Sequence, residues 1–136
     1  MSWVKRLRAD HWAWIHAKLA LIFWGVLYAI YTPEGPLKEL GKTLNVLIAG
    51  FTIVGSVMAI LGLIISTNIK LRKQGLILEL AGLIIAGCGP LTYFITQASL
   101  IQNNQARIAL SGFAYSLTGF VVARAIVVAR ALRRLN

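Results

Sequence analysis

Acidic side chains are scarce in this chain. Four Asp and Glu stand against fourteen Lys and Arg in 136 residues. So few carboxylates leave little material for general acid–base chemistry. The serines also lack a plausible base at the same side and depth, so no catalytic residue and no enzyme is predicted. The single cysteine, Cys88, excludes an internal disulfide framework and any cysteine metal cluster. It reads as a small apolar filler. The two histidines, His11 and His16, lie five apart on the first helix, a poor geometry for a shared metal. There is no glycine-rich phosphate loop, and neither a metal nor a cofactor is predicted.

Charge as a whole is also thin. Charged residues make up 13% of the chain and hydrophobic ones 58%, where a soluble domain is nearer a quarter and a half. The apolar residues come in blocks. A bilayer span needs about 20 of them at a rise of about 1.5 Å each, and four blocks qualify: 13–31, 43–65, 76–96 and 108–129. The predicted fold is all-α, a single integral-membrane four-helix bundle over 1–136. Residues 2–18 are read as an amphipathic segment ahead of the first span, with Trp3, Trp12 and Trp14 suited to the headgroup zone. No cleavable signal peptide is expected, so the first block reads as a retained span.

The net charge of +10 is sorted by position. Lys5, Arg6, Arg8 and Lys18 lie near the start, Lys70, Arg72 and Lys73 in the second loop, and Arg124, Arg130, Arg133 and Arg134 at the end. The other two loops hold only Lys38, Lys42 and Arg107. With four spans the three rich regions fall on one side, the positive-inside pattern. That predicts a multi-pass protein of a bacterial or host cytoplasmic membrane, with both termini cytoplasmic. Its basic ends meet anionic headgroups there, and no nucleic acid is expected as a partner.

Small residues recur at offsets of four and three in every block. They are Gly55, Ala59, Gly62 and Ser66 in the second span, Gly82, Ala86 and Gly89 in the third, and Gly112, Ser116, Gly119 and Ala123 in the fourth. The first span carries Ala13, Ala17 and Ala20, continued by Trp24. Such offsets return to one helix face. In hydrocarbon, helices associate by close backbone approach rather than by apolar burial, and small residues permit that approach. The stripes predict packing within the chain or against other copies or another membrane protein.

Polar groups inside the spans need partners. Glu79 in the third span is predicted to pair with Arg124 or Lys18, forming a polar layer near the inner face, with His16 at similar depth as a potential relay. Pro90 in the sequence GCGPLTY is predicted to kink the third span, with Thr92, Thr96 and Gln97 available to satisfy nearby groups.

In size, in its four spans and in its basic tail VVARALRRLN the chain resembles some phage holins, which oligomerise in the inner membrane and open it. The dual start of some holins is absent, because the only methionine after Met1 is Met58. Small four-span multidrug exporters are similar in length, but their key carboxylate lies in the first span and here it lies in the third. The function expected first is therefore non-catalytic, through helix packing or assembly. A holin-like permeabiliser and a small ion-coupled transporter using Glu79 are the alternatives.

Overall fold

A computed structural model describes residues 9–30, 41–98 and 105–135. Four helices follow one another: α1 (Ala9–Ile30), α2 (Gly41–Ser66), α3 (Arg72–Ala98) and α4 (Gln105–Arg133). A single 3-10 turn, Ile69–Leu71, joins α2 to α3. All four helices are long and apolar enough to cross a membrane, and no strand occurs among the described residues. The protein is an all-α, multi-pass four-helix bundle. The predicted amphipathic segment lies outside the described residues up to position 8. From Ala9 onward it is helix continuous with the first span.

The helix limits follow from local chemistry. After Ser66, the Thr67 hydroxyl donates to the carbonyl of Ile64 at 2.7 Å, satisfying one of the last-turn acceptors of α2. The Asn68 side chain then accepts from the backbone N–H of Lys70 at 3.1 Å, an N-cap that starts the 3-10 turn. The connection is short, so α2 and α3 lie antiparallel as a hairpin.

Packing within the bundle is unequal. The α2–α3 contact is the most extensive, α4 lies on α3, and α1 lies mainly on α2 and touches α4 only slightly. The α2–α3 intimacy has a direct cause. A methyl carbon placed on Gly55 would lie 2.7 Å from the Gly82 carbonyl oxygen. One placed on Gly82 would lie 2.5 Å from the Gly55 carbonyl oxygen. Neither position has room for a Cβ, and the backbones meet as small-residue packing in a membrane requires.

The large apolar side chains left outside, among them Phe23, Phe51, Val54, Ile84, Ile95 and Val122, are exposed on the bundle surface. In water that surface would be an aggregation liability. In hydrocarbon it is the expected coat.

Candidate functional site

The antiparallel order brings the start of α1, the α2–α3 hairpin and the end of α4 to one end of the bundle. Lys70, Arg72, Lys73, Arg130, Arg133 and Arg134 are all exposed there. This is the basic end. About two turns inside it sits the most polar feature of the interior. Glu79 on α3 is fully buried, and so is Lys18 on α1. The Lys18 ammonium donates to Glu79 Oε1 at 2.5 Å. Arg124 on α4, 11% exposed, donates from Nε to Oε1 at 2.8 Å and from Nη2 to Oε2 at 3.2 Å. One carboxylate thus joins three helices.

The two cations reach Glu79 by different routes. Arg124 uses its planar fork in a bidentate contact, which only guanidinium geometry allows. Its Cζ lies 4.7 Å from the Trp14 ring centroid, a cation–π contact that holds the fork from behind. Trp14 in turn packs on Phe120 at 5.0 Å between centroids. The expected alternative of Arg124 or Lys18 resolves as both at once. His16 does not join them. It is exposed, and its Nδ1 lies 2.8 Å from the carbonyl oxygen of Trp12, one turn back on its own helix. His11 points the other way and lines a cleft next to Arg124. Its Nδ1 is buried with no hydrogen-bond partner among the described residues.

The four stripes have different fates. Gly55, Ala59 and Gly62 of α2 are buried against Gly82, Ala86 and Gly75 of α3. Gly89 is also buried, with Thr52 and Trp24 occupying the space a side chain would need. The α4 stripe behaves otherwise. Gly112, Ser116, Gly119 and Ala123 are all exposed, and no atom of the described residues lies within 4 Å of where a Cβ on Gly112 or Gly119 would be. Ala13 of the first stripe is exposed too, with Ala17 and Ala20 half-buried. Contacts that the stripes did not indicate take over elsewhere. A Cβ on Gly25 would meet Ile53 at 2.9 Å, which seats α1 on α2, and one on Gly87 would meet Val121 at 2.9 Å, which seats α4 on α3.

At the opposite end a second polar group lies among aromatic rings. The Tyr28 hydroxyl donates to Asn45 Oδ1 at 3.0 Å, both residues being buried. Tyr28 stacks on Trp24 at 5.0 Å, and Tyr93 meets both rings edge-on at 5.8 Å. Deep in α2, Thr52 and Ser56 donate to the carbonyls of Ile48 and Thr52 on their own helix, so these buried hydroxyls are satisfied locally.

Pro90 is buried, and α3 is helical on both sides of it. The Thr92 hydroxyl donates to the Cys88 carbonyl at 2.7 Å, one turn back on its own helix. The side chains of Thr96 and Gln97 lie outside those described. Cys88 is on the exposed face, 3.3 Å from the Ile84 carbonyl. Among the described residues no group of three His, Cys, Asp or Glu side chains is placed to hold a metal. No family model, no curated protein and no solved structure matches this chain.

Proposed function

We propose that the protein is a non-catalytic assembly component of a bacterial cytoplasmic membrane, self-associating through α4 with its basic end on the cytoplasmic side. The supporting observation is the exposed stripe of Gly112, Ser116, Gly119 and Ala123. The same spacing in α2 and α3 is used for backbone-to-backbone packing. Glycine in a helix interior costs about 1 kcal/mol relative to alanine, and on α4 that cost brings no close contact among the described residues. Phe113, Tyr115, Val122 and Ile126, all exposed, lie beside the stripe and would pack around such a contact. In a two-fold dimer one stripe supplies both sides of the contact, and a second copy inserted in the same orientation is its simplest occupant.

Cysteine cross-linking in native membranes tests this. In a Cys88→Ser background, Gly119→Cys and Ser116→Cys should give disulfide-linked dimers under mild oxidation. Val57→Cys, on the outer face of α2, should not. Monomer at all three positions overturns self-association. Abrupt loss of membrane potential on expression would instead favour a permeabiliser, and ion flux abolished by Glu79→Gln would favour a transporter.

A further inference from the structure

A cleft of about 500 Å³ opens at the basic end, between the start of α1, the α2–α3 hairpin and the last turns of α4. Its polar lining is His11, Ser66, Thr67, Arg72 and Arg124, and no acidic side chain is among the described residues that line it. Leu63, Leu76 and Val128, all buried, form its apolar part.

Three features of this cleft call for an anion. The first is charge. Glu79 is shared by two cations, Lys18 and Arg124, so the buried cluster behind the cleft carries one positive charge more than it neutralises. The second is unused donors. A guanidinium has five N–H groups, and Arg124 directs only Nε and one Nη2 hydrogen at Glu79. Its other donors belong to a side chain that lines the cleft. The third is His11, whose buried Nδ1 has no partner among the described residues. Buried polar atoms in native proteins are nearly always satisfied. In its Nδ1–H tautomer this nitrogen is a donor, and a turn of the ring, which lines the cleft, brings it to a bound anion. Arg72 adds an exposed cation at the rim.

We propose that this cleft binds a single phosphate-class anion, the phosphodiester of an acidic lipid, with Arg124, Arg72 and His11 on the phosphate. The apolar part supplies the reason for an attached chain: a free oxyanion makes no use of Leu63, Leu76 and Val128. The depth agrees, since the cleft lies where helix ends emerge from the hydrocarbon and headgroups reside. This site does not depend on self-association, because the α4 stripe ends at Ala123, before the cleft-lining residues Arg124, Val127, Val128 and Ala131.

The test uses the full chain purified in a neutral maltoside detergent, with bound lipid counted by native mass spectrometry. Phosphatidylglycerol, phosphatidylcholine and inorganic phosphate are the probes. One phosphatidylglycerol should bind about tenfold tighter than phosphatidylcholine. Removing one rim cation with Arg72→Gln should weaken it about fivefold. His11→Ala should weaken it in the same direction, whereas Lys73→Gln, which removes an exposed charge outside the lining, should change it less than about twofold. Displacement of the lipid by millimolar inorganic phosphate would show that the site takes the anion itself. Failure to displace it would show that the lipid is recognised through its chain as well. Equal binding of the two lipids overturns the anion site outright, and equal loss from Arg72→Gln and Lys73→Gln overturns it in favour of diffuse surface charge. Unchanged helical circular dichroism in each variant separates lost binding from lost fold.

Discussion

Gly62 and Gly75 face each other across the α2–α3 interface, and a methyl carbon on either would lie 2.7 Å from the carbonyl oxygen of the other. With the Gly55–Gly82 pair, this closes the two helices along much of their length. No side chain can enter without parting the backbones. The remaining helices are arranged around this hairpin.

Substitution at these glycines should therefore be costly. Gly62→Ala or Gly82→Ala is expected to destabilise the protein by about 1–3 kcal/mol through overpacking. Gly50→Ala, at a site where no atom of the described residues lies within 4 Å of the new methyl, should be neutral or stabilising by up to about 1 kcal/mol. Unfolding in mixed micelles by added dodecyl sulfate measures all three. Equal effects at Gly50 and Gly82 would refute the close-approach account.

Glu79→Gln is expected to be the most damaging single change at the polar cluster. It leaves two cations, one of them fully buried, facing a neutral amide, and breaking a buried pair in this way costs about 3–5 kcal/mol. Adding Lys18→Met should recover part of that loss, because one of the stranded charges is gone. The double-mutant cycle in the same unfolding assay gives the coupling. Additive losses would mean that Lys18 and Glu79 do not interact.

Tyr28→Phe removes the hydroxyl that donates to Asn45 but keeps the ring stacked on Trp24. Interhelical hydrogen bonds in membrane proteins average about 0.6 kcal/mol, so a loss of up to about 1 kcal/mol is expected. Tyr28→Leu also removes the aromatic contacts with Trp24 and Tyr93 and should cost more. A loss no larger than that of Tyr28→Phe would show that the rings contribute little.

Lys70→Cys and Arg134→Cys, each in a Cys88→Ser background, should be labelled by a membrane-impermeant maleimide only after the cytoplasmic face is opened. Cys88 itself, exposed on the mid-helix surface, should resist the reagent in intact membranes. Labelling of positions 70 and 134 from opposite sides is incompatible with four spans.

Much of this was legible in the sequence, for a specific reason. Hydrocarbon penalises every exception to apolarity, so the exceptions point to contacts. Glu79 had to find a cation, and the three spans with glycine stripes had to use them or expose them. Sequence spacing fixes which residues share a face, but not which neighbour that face meets. The α2 and α3 stripes therefore read the same as the α4 stripe, although two are buried and one is not. His11 and His16 illustrate a signal that was available. Five residues turn a helix through about 140° from the starting face, whereas seven return nearly to it. His11 thus shares its face with Lys18, and His16 does not. The Gly25–Ile53 and Gly87–Val121 contacts carry no such signal, because each depends on one bulky residue filling one gap on another helix. Asn45, buried beside Tyr28, likewise carries no mark in the sequence of which helix it meets.

The Lys18–Glu79 contact spans 61 positions of the chain. A ribosome delivers Lys18 long before Glu79 exists, and Arg124 emerges later still. The first helix must therefore wait in or beside the translocon with an ammonium lacking its counter-ion, at a cost of up to about 3 kcal/mol if held at mid-membrane. Lys18 meets its counter-ion only when α3 arrives, so truncation before residue 79 should weaken the hold on α1 to its packing on α2, while a chain ending after α3 should already supply the carboxylate.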